Sequence, residues 1–144
     1  MFLLGIVIYL VLIVAVMFMG GYISVFTDIP SLVLIIGALL AVTVSTGSMG
    51  LLKYSFKASI KDDYFDKKLN DISIEFLDLL FKSSIGIGII GFMIGIIIMM
   101  HSLSDPVSIG PSFGVAMLVL FYSLLTGFVL ILPMKFILKR KSSK

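Results

Sequence analysis

Metal chemistry in this chain would have to draw on eight acidic side chains and one histidine, because the 144 residues include no cysteine, and the same few groups are the first candidates for acid–base work. Asp28, His101 and Asp105 lie at the ends of long apolar stretches, and the other acids fall in one polar segment between residues 53 and 82. No Asp, Glu, Lys or Arg interrupts the apolar stretches themselves. A proton or cation crossing a bilayer ordinarily passes an intramembrane carboxylate. An ion moved by this chain therefore needs its carrier side chain from a partner. His101 has no second ligand near it in sequence and reads as an interfacial residue. With no nucleophile–base pair and no ligand cluster to assemble, the expectation is a protein that is not an enzyme and holds no cofactor or metal.

The elements that would carry these residues are membrane helices. The chain is 60% apolar and 13% charged, with a mean hydropathy of +1.22. A soluble domain has about 45–50% apolar and about 25% charged residues, so a soluble enzyme, a disordered chain and a nucleic-acid-binding domain are all excluded. A span needs ~20 apolar residues, and four such stretches are present, at about 2–19, 29–52, 85–100 and 113–134. The predicted fold is an all-α membrane protein with four transmembrane helices. Asp28 and Pro30 suit the start of the second, as a capping side chain and a first-turn proline. Pro111 leads into the fourth.

All 11 Lys and Arg fall in two places: six between residues 53 and 82, and five in the tail 135–144. Positive-inside sorting puts both regions, and both termini, in the cytoplasm. That bias accounts for the net charge of +3 through topology and contact with anionic headgroups, with no nucleic-acid partner. Lys53, Lys57 and Lys61 recur every four residues beside Leu52, Phe56 and Ile60, which predicts a helix continuing the second span beyond the bilayer. On the return, Asp71, Glu75, Asp78 and Lys82 form a narrow polar stripe on a helix running into the third span. Together the two predict a cytoplasmic helical hairpin over 53–82, turning near 62–70. The alternative is a surface amphipathic helix lying on the membrane.

Small residues mark packing faces. Ser84, Gly88, Gly91 and Gly95 are spaced by four, three and four, which aligns them on one face of the third span. Gly37, Ala41 and Ser45 do the same on the second, and Ser123 and Gly127 on the fourth. Such faces let helix backbones approach in lipid, where apolar burial does not drive association. They serve packing within one subunit or between subunits, and three of them favour an oligomer. The hydroxyls of Thr43, Ser45, Thr46 and Ser48 cluster near the inner end of the second span, where such groups usually bond their own helix carbonyls.

Two stretches resemble the MotA branch of the MotA/TolQ/ExbB family, the membrane subunits of ion-driven motors. One is Gly20-Gly21 with Phe26-Thr27-Asp28-Ile29-Pro30-Ser31-Leu32. The other runs from Gly88-Ile89-Ile90-Gly91 through Gly95 to Ser104-Asp105-Pro106-Val107-Ser108-Ile109-Gly110-Pro111, then Val115-Ala116, Tyr122 and Leu132-Pro133. The resemblance implies a stator-type subunit of the bacterial cytoplasmic membrane. It would be a pentamer around two single-span MotB-like partners whose membrane carboxylate carries the proton or sodium ion. Asp105, Pro106, Gly110 and Pro111 would form the outer-loop motif, and Phe92, Val119, Leu120 and Tyr122 would face the ion path. Three of these depart from the family pattern, because Phe92, Val119 and Leu120 stand where hydroxyls are usual and Ile85 stands where Pro is usual. Between the second and third spans the chain also has a 30-residue segment in place of a large cytoplasmic domain. Two functions follow: a compact motor or channel subunit, or a diverged, non-conducting scaffold.

Overall fold

In a computed structural model of the chain, residues 2–20, 26, 28–60, 66–101 and 106–142 are described, and every regular element among them is helical. In order these are α1 (Phe2–Met19), α2 (Ile29–Ser45), α3 (Met49–Ile60), α4 (Lys67–His101), α5 (Pro106–Leu125), a π-helical turn (Thr126–Ile131) and α6 (Leu132–Ser142).

The local chemistry of the sequence sets the ends of α2. Asp28 Oδ2 accepts the Ser31 N–H at 3.0 Å and also the Ser31 hydroxyl, and Pro30 occupies the first turn, where its missing N–H leaves nothing unpaired. At the other end the Gly47 N–H bonds Val44 O at 2.9 Å and the Ser48 N–H bonds Thr43 O at 3.0 Å. These paired bonds close a Schellman turn, which requires a left-handed residue, and Gly47 supplies it at φ 62°. The chain then leaves at 114° to α2 as α3. The apolar stretch 29–52 is therefore not one straight helix continuing into the polar segment 53–82. It breaks at residues 46–48 because the terminating turn satisfies the last carbonyls of α2 and redirects the backbone.

Two described helices are long and apolar enough to cross a membrane: α4, and the run Ile109–Ser142 formed by α5, the π turn and α6. The bent pair α2–α3 makes a third if taken as one span, while the apolar helix at Leu4–Met19 is shorter than the crossing length. At ~1.5 Å per residue, the 35 residues of α4 far exceed the ~30 Å of a hydrocarbon core. Its polar first half accordingly projects beyond the apolar part. The π turn lies just before Pro133, which has no N–H and whose ring would collide with the carbonyl four residues earlier in an α-helix. The widened turn moves the bonding to i→i+5, with the Leu132 N–H on Gly127 O.

Two cores result. Ile35, Leu118, Val119 and Tyr122 join α2 to α5, while Tyr54, Ala58, Phe76, Leu77, Leu80, Met134 and Leu138 join α3, the first half of α4 and α6. Where α3 and α4 meet, the Tyr54 hydroxyl donates to Asp66 O at 3.1 Å and accepts the Asp66 N–H at 3.0 Å. Most of the predicted hairpin turn, residues 61–65, lies outside the described residues. Of the polar stripe expected on α4, Asp71, Glu75 and Lys82 are exposed, and Asp78 is half-buried.

Candidate functional site

The closest approach in the fold is the antiparallel seam between α4 and α5. Gly95 lies against Ala116, Gly91 against Val119 and Gly88 against Ser123; farther along, Gly127 faces Phe81 and the Ser84 hydroxyl. At Gly95 a Cβ would come within 2.8 Å of Ala116 Cα, and at Gly127 within 3.4 Å of the Phe81 ring. At Gly88 and Gly91 it would overlap the Ser123 and Val119 side chains. The four, three, four spacing on α4 thus meets small or branched residues at 116, 119 and 123 on α5 and at 127 in the π turn. Within this chain the α4 face is an intrasubunit seam. Gly37, Ala41 and Ser45 are different: all three are exposed on α2, and a Cβ at Gly37 would meet nothing within 4 Å.

The hydroxyls along the seam are already used. Ser84 donates to Ser123 O at 2.7 Å, Ser123 to Leu120 O at 2.8 Å and Thr126 to Tyr122 O at 2.8 Å. On α2, Thr43 and Thr46 likewise bond Leu39 O and Val42 O. Each of these hydroxyls spends its one donor on a backbone carbonyl, and none carries the charge that would hold a proton or cation within an apolar span.

The four positions expected to face an ion path separate into two pairs. Val119 and Tyr122 are buried at 6% and 8% exposure, with Val119 against Gly91 and the Tyr122 hydroxyl donating to Phe26 O. Phe92 and Leu120 keep part of their surface open, and the Phe92 ring meets Phe113 edge-on with centroids 6.5 Å apart. In the outer-loop motif, Pro106 begins α5, Gly110 and Pro111 are exposed within its first turns, and Asp105 lies outside the described residues.

A polar network joins α3, the first half of α4 and α6, where the basic residues collect. Asp78 pairs with Lys135 of α6 and with Lys82 at 2.7 Å. The hydrogen bond from Lys135, and then that from Lys82, holds the Asp78 carboxyl down at about 2 from its ordinary 3.8. Asn70 Nδ2, fully buried, donates to Leu138 O at 2.9 Å, and Lys141 Nζ donates to Ala58 O at 2.6 Å. Sequence reading puts Asp78 and Lys82 on one polar stripe of α4, a helical turn apart. It misses Lys135 and Leu138, which lie 57 and 68 residues away along the chain from their partners. No group of three His, Asp or Glu residues that could hold a metal occurs among the described residues.

The sequence profile described as the MotA/TolQ/ExbB proton channel family matches residues 35–144, from the middle of α2 through α6. No curated protein matches the chain.

Proposed function

Because this chain belongs to the MotA/TolQ/ExbB proton channel family, we propose that it is a MotA-like integral membrane subunit of an ion-driven motor or channel complex. In this complex, proton or sodium flow is coupled to motion through a single-span MotB-like partner. The observation that carries this reading is the missing acid. No carboxylate stands in the apolar stretches, and the hydroxyls of the α4–α5 seam are bound to backbone carbonyls. A chain of this family built so can wall an ion path and pack against a rotating partner, but the carrier group must come from elsewhere.

The arrangement proposed is four spans, with α1 and α2 completing the set, in the bacterial cytoplasmic membrane. The 11-to-0 distribution of basic residues supports an orientation with both termini inside. The exposed stripe Gly37, Ala41 and Ser45 and the open apolar flanks of α4 and α5 support assembly into a ring, a pentamer by likeness to the MotA branch. Phe92 and Leu120, still partly open, are the positions that would border the partner helix. The chain acts as a conduit and force-bearing element, not as an enzyme, and needs no cofactor. Purifying it from native membranes tests this: a stable complex with a single-span protein bearing a membrane Asp or Glu is expected. A chain that purifies alone, as a monomer, overturns the reading.

One observation favours a second reading, a non-conducting scaffold of the same ancestry. Val119 is packed into Gly91, so at that position an apolar side chain serves the seam. If the chain conducts, Phe92→Thr and Leu120→Thr change ion flux or motility. If it is a scaffold, they leave both unchanged.

A further inference from the structure

A groove of about 500 Å³ opens between α1, α2, α3 and the π turn with α6, within the ~300–1,000 Å³ range of small-ligand sites. Its walls are Leu39, Leu40, Leu52, Phe56, Leu130 and Met134. The two hydroxyls that reach it, Thr43 and Thr126, are bonded to carbonyls of their own helices. The interior is therefore apolar apart from two hydroxyls whose donors are already engaged. Its mouth is the opposite: Lys53 and Lys57, one helical turn apart on α3, line the same groove, are exposed, and form no ion pair among the described residues.

The posture of α3 explains how the two parts come together. Tyr54, Ser55, Ala58 and Ser59 bury one side of this helix. On the opposite side Met49, Lys53, Phe56, Lys57 and Ile60 are exposed, and the helix leaves α2 at 114°. A short helix roughly crosswise to a span, with an outer face of apolar side chains and lysines, suits the bilayer interface. We propose that this groove is a binding site for one anionic glycerophospholipid. An acyl chain lies along the leucine wall, and the phosphate is held by Lys53 and Lys57. Charge complementarity selects this occupant. A zwitterionic lipid brings its own cation beside its phosphate and leaves the charge of the two ammonium groups uncompensated, whereas basic clusters between helices at the cytoplasmic side are where anionic headgroups are recognised. The site stands apart from the ion path and does not depend on whether the chain conducts.

The chain contains no tryptophan, so a single introduced one reports on its surroundings. The full chain carrying Phe56→Trp is reconstituted in phosphatidylcholine vesicles and titrated with brominated phosphatidylglycerol or brominated phosphatidylcholine. A parallel sample carries Phe136→Trp, an exposed position on α6 near Lys139 but outside this groove. At position 56 phosphatidylglycerol is expected to quench ahead of phosphatidylcholine by roughly fivefold for each lysine engaged, and clearly ahead of its preference at position 136. Lys53→Gln with Lys57→Gln brings the preference at 56 down to that at 136, and the two Arg replacements keep it. Equal preference at the two reporters overturns the proposal, because it shows diffuse attraction to a basic face. So does a preference that survives the Gln substitutions, and so does a Trp at 56 that neither lipid quenches, which means protein from a second copy fills the groove. The comparison between reporters needs no lysine variant and decides the matter even if the Gln forms do not fold.

Discussion

Replacing Gly95 by Ala probes the α4–α5 seam most sharply. The added methyl would meet Ala116, whose Cβ is fixed to the backbone and whose Cα would lie 2.8 Å away. No rotamer change relieves that contact, so the helices must separate or slide. Overpacking of this kind costs about 1–3 kcal/mol, partly offset by the ~1 kcal/mol that Ala gains over Gly in a helix interior. Gly86, on the same helix, meets nothing within 4 Å, so Gly86→Ala takes the propensity gain alone. The difference between the two variants isolates the steric cost at about 1–3 kcal/mol. At Gly91 the obstacle is Val119 Cγ1, a side-chain atom, but Val holds one strongly preferred rotamer in a helix, so the cost there is intermediate. The assay is reversible unfolding of the purified chain in mixed micelles of rising dodecyl sulfate content, followed by circular dichroism. Ala116→Gly in the Gly95→Ala background removes the opposing methyl but not the Cα, so it relieves part of the steric cost, read as a favourable coupling in the double-mutant cycle. Equal stability of Gly95→Ala and Gly86→Ala, or no coupling between positions 95 and 116, refutes the seam.

Three further perturbations address the turn and the polar network. Gly47→Val forces a branched residue into φ 62° with open space around it, so strain alone destabilises by about 1–2 kcal/mol, measured in the same micelle titration. Asp78 has its pKa lowered by Lys135 and Lys82 in the folded protein, so its stabilisation is fully present above the ordinary 3.8 and disappears as pH falls toward about 2. Unfolding midpoints of the parent chain and Asp78→Asn should therefore converge across that window and stay apart above it. Asn70→Ala removes the donor to Leu138 O from a fully buried position and costs about 1–3 kcal/mol in the same unfolding assay, with α6 losing amide-exchange protection first.

Some of this was legible in the residues alone, and the physical reasons differ from place to place. The cap at Asp28 and Pro30 is local chemistry, and local chemistry shows in sequence. The face formed by Gly88, Gly91 and Gly95 is also visible, but its partner is not. The complementary run Ala116, Val119, Ser123 and Gly127 becomes complementary only when the two helices lie antiparallel. The break after α2 was hidden because apolar residues continue through Leu51 and Leu52, and hydropathy does not register a backbone turning 114°. Its signal was Gly47 between Thr46 and Ser48. Val119 has a second role that likeness did not signal: it is buried against Gly91 in the seam. The Asp78–Lys135 pair joins residues whose elements meet only in three dimensions.

The central claim is that this chain supplies the walls of an ion path and a partner supplies the acid. Proton and sodium flux should be measured across liposomes holding the chain alone, then the chain with the single-span protein that purifies with it. The expected result is no flux from the chain alone, flux from the complex, and loss of that flux when the partner's membrane carboxylate is changed to the amide. Flux from the chain alone, or an intact complex that passes neither ion, contradicts it.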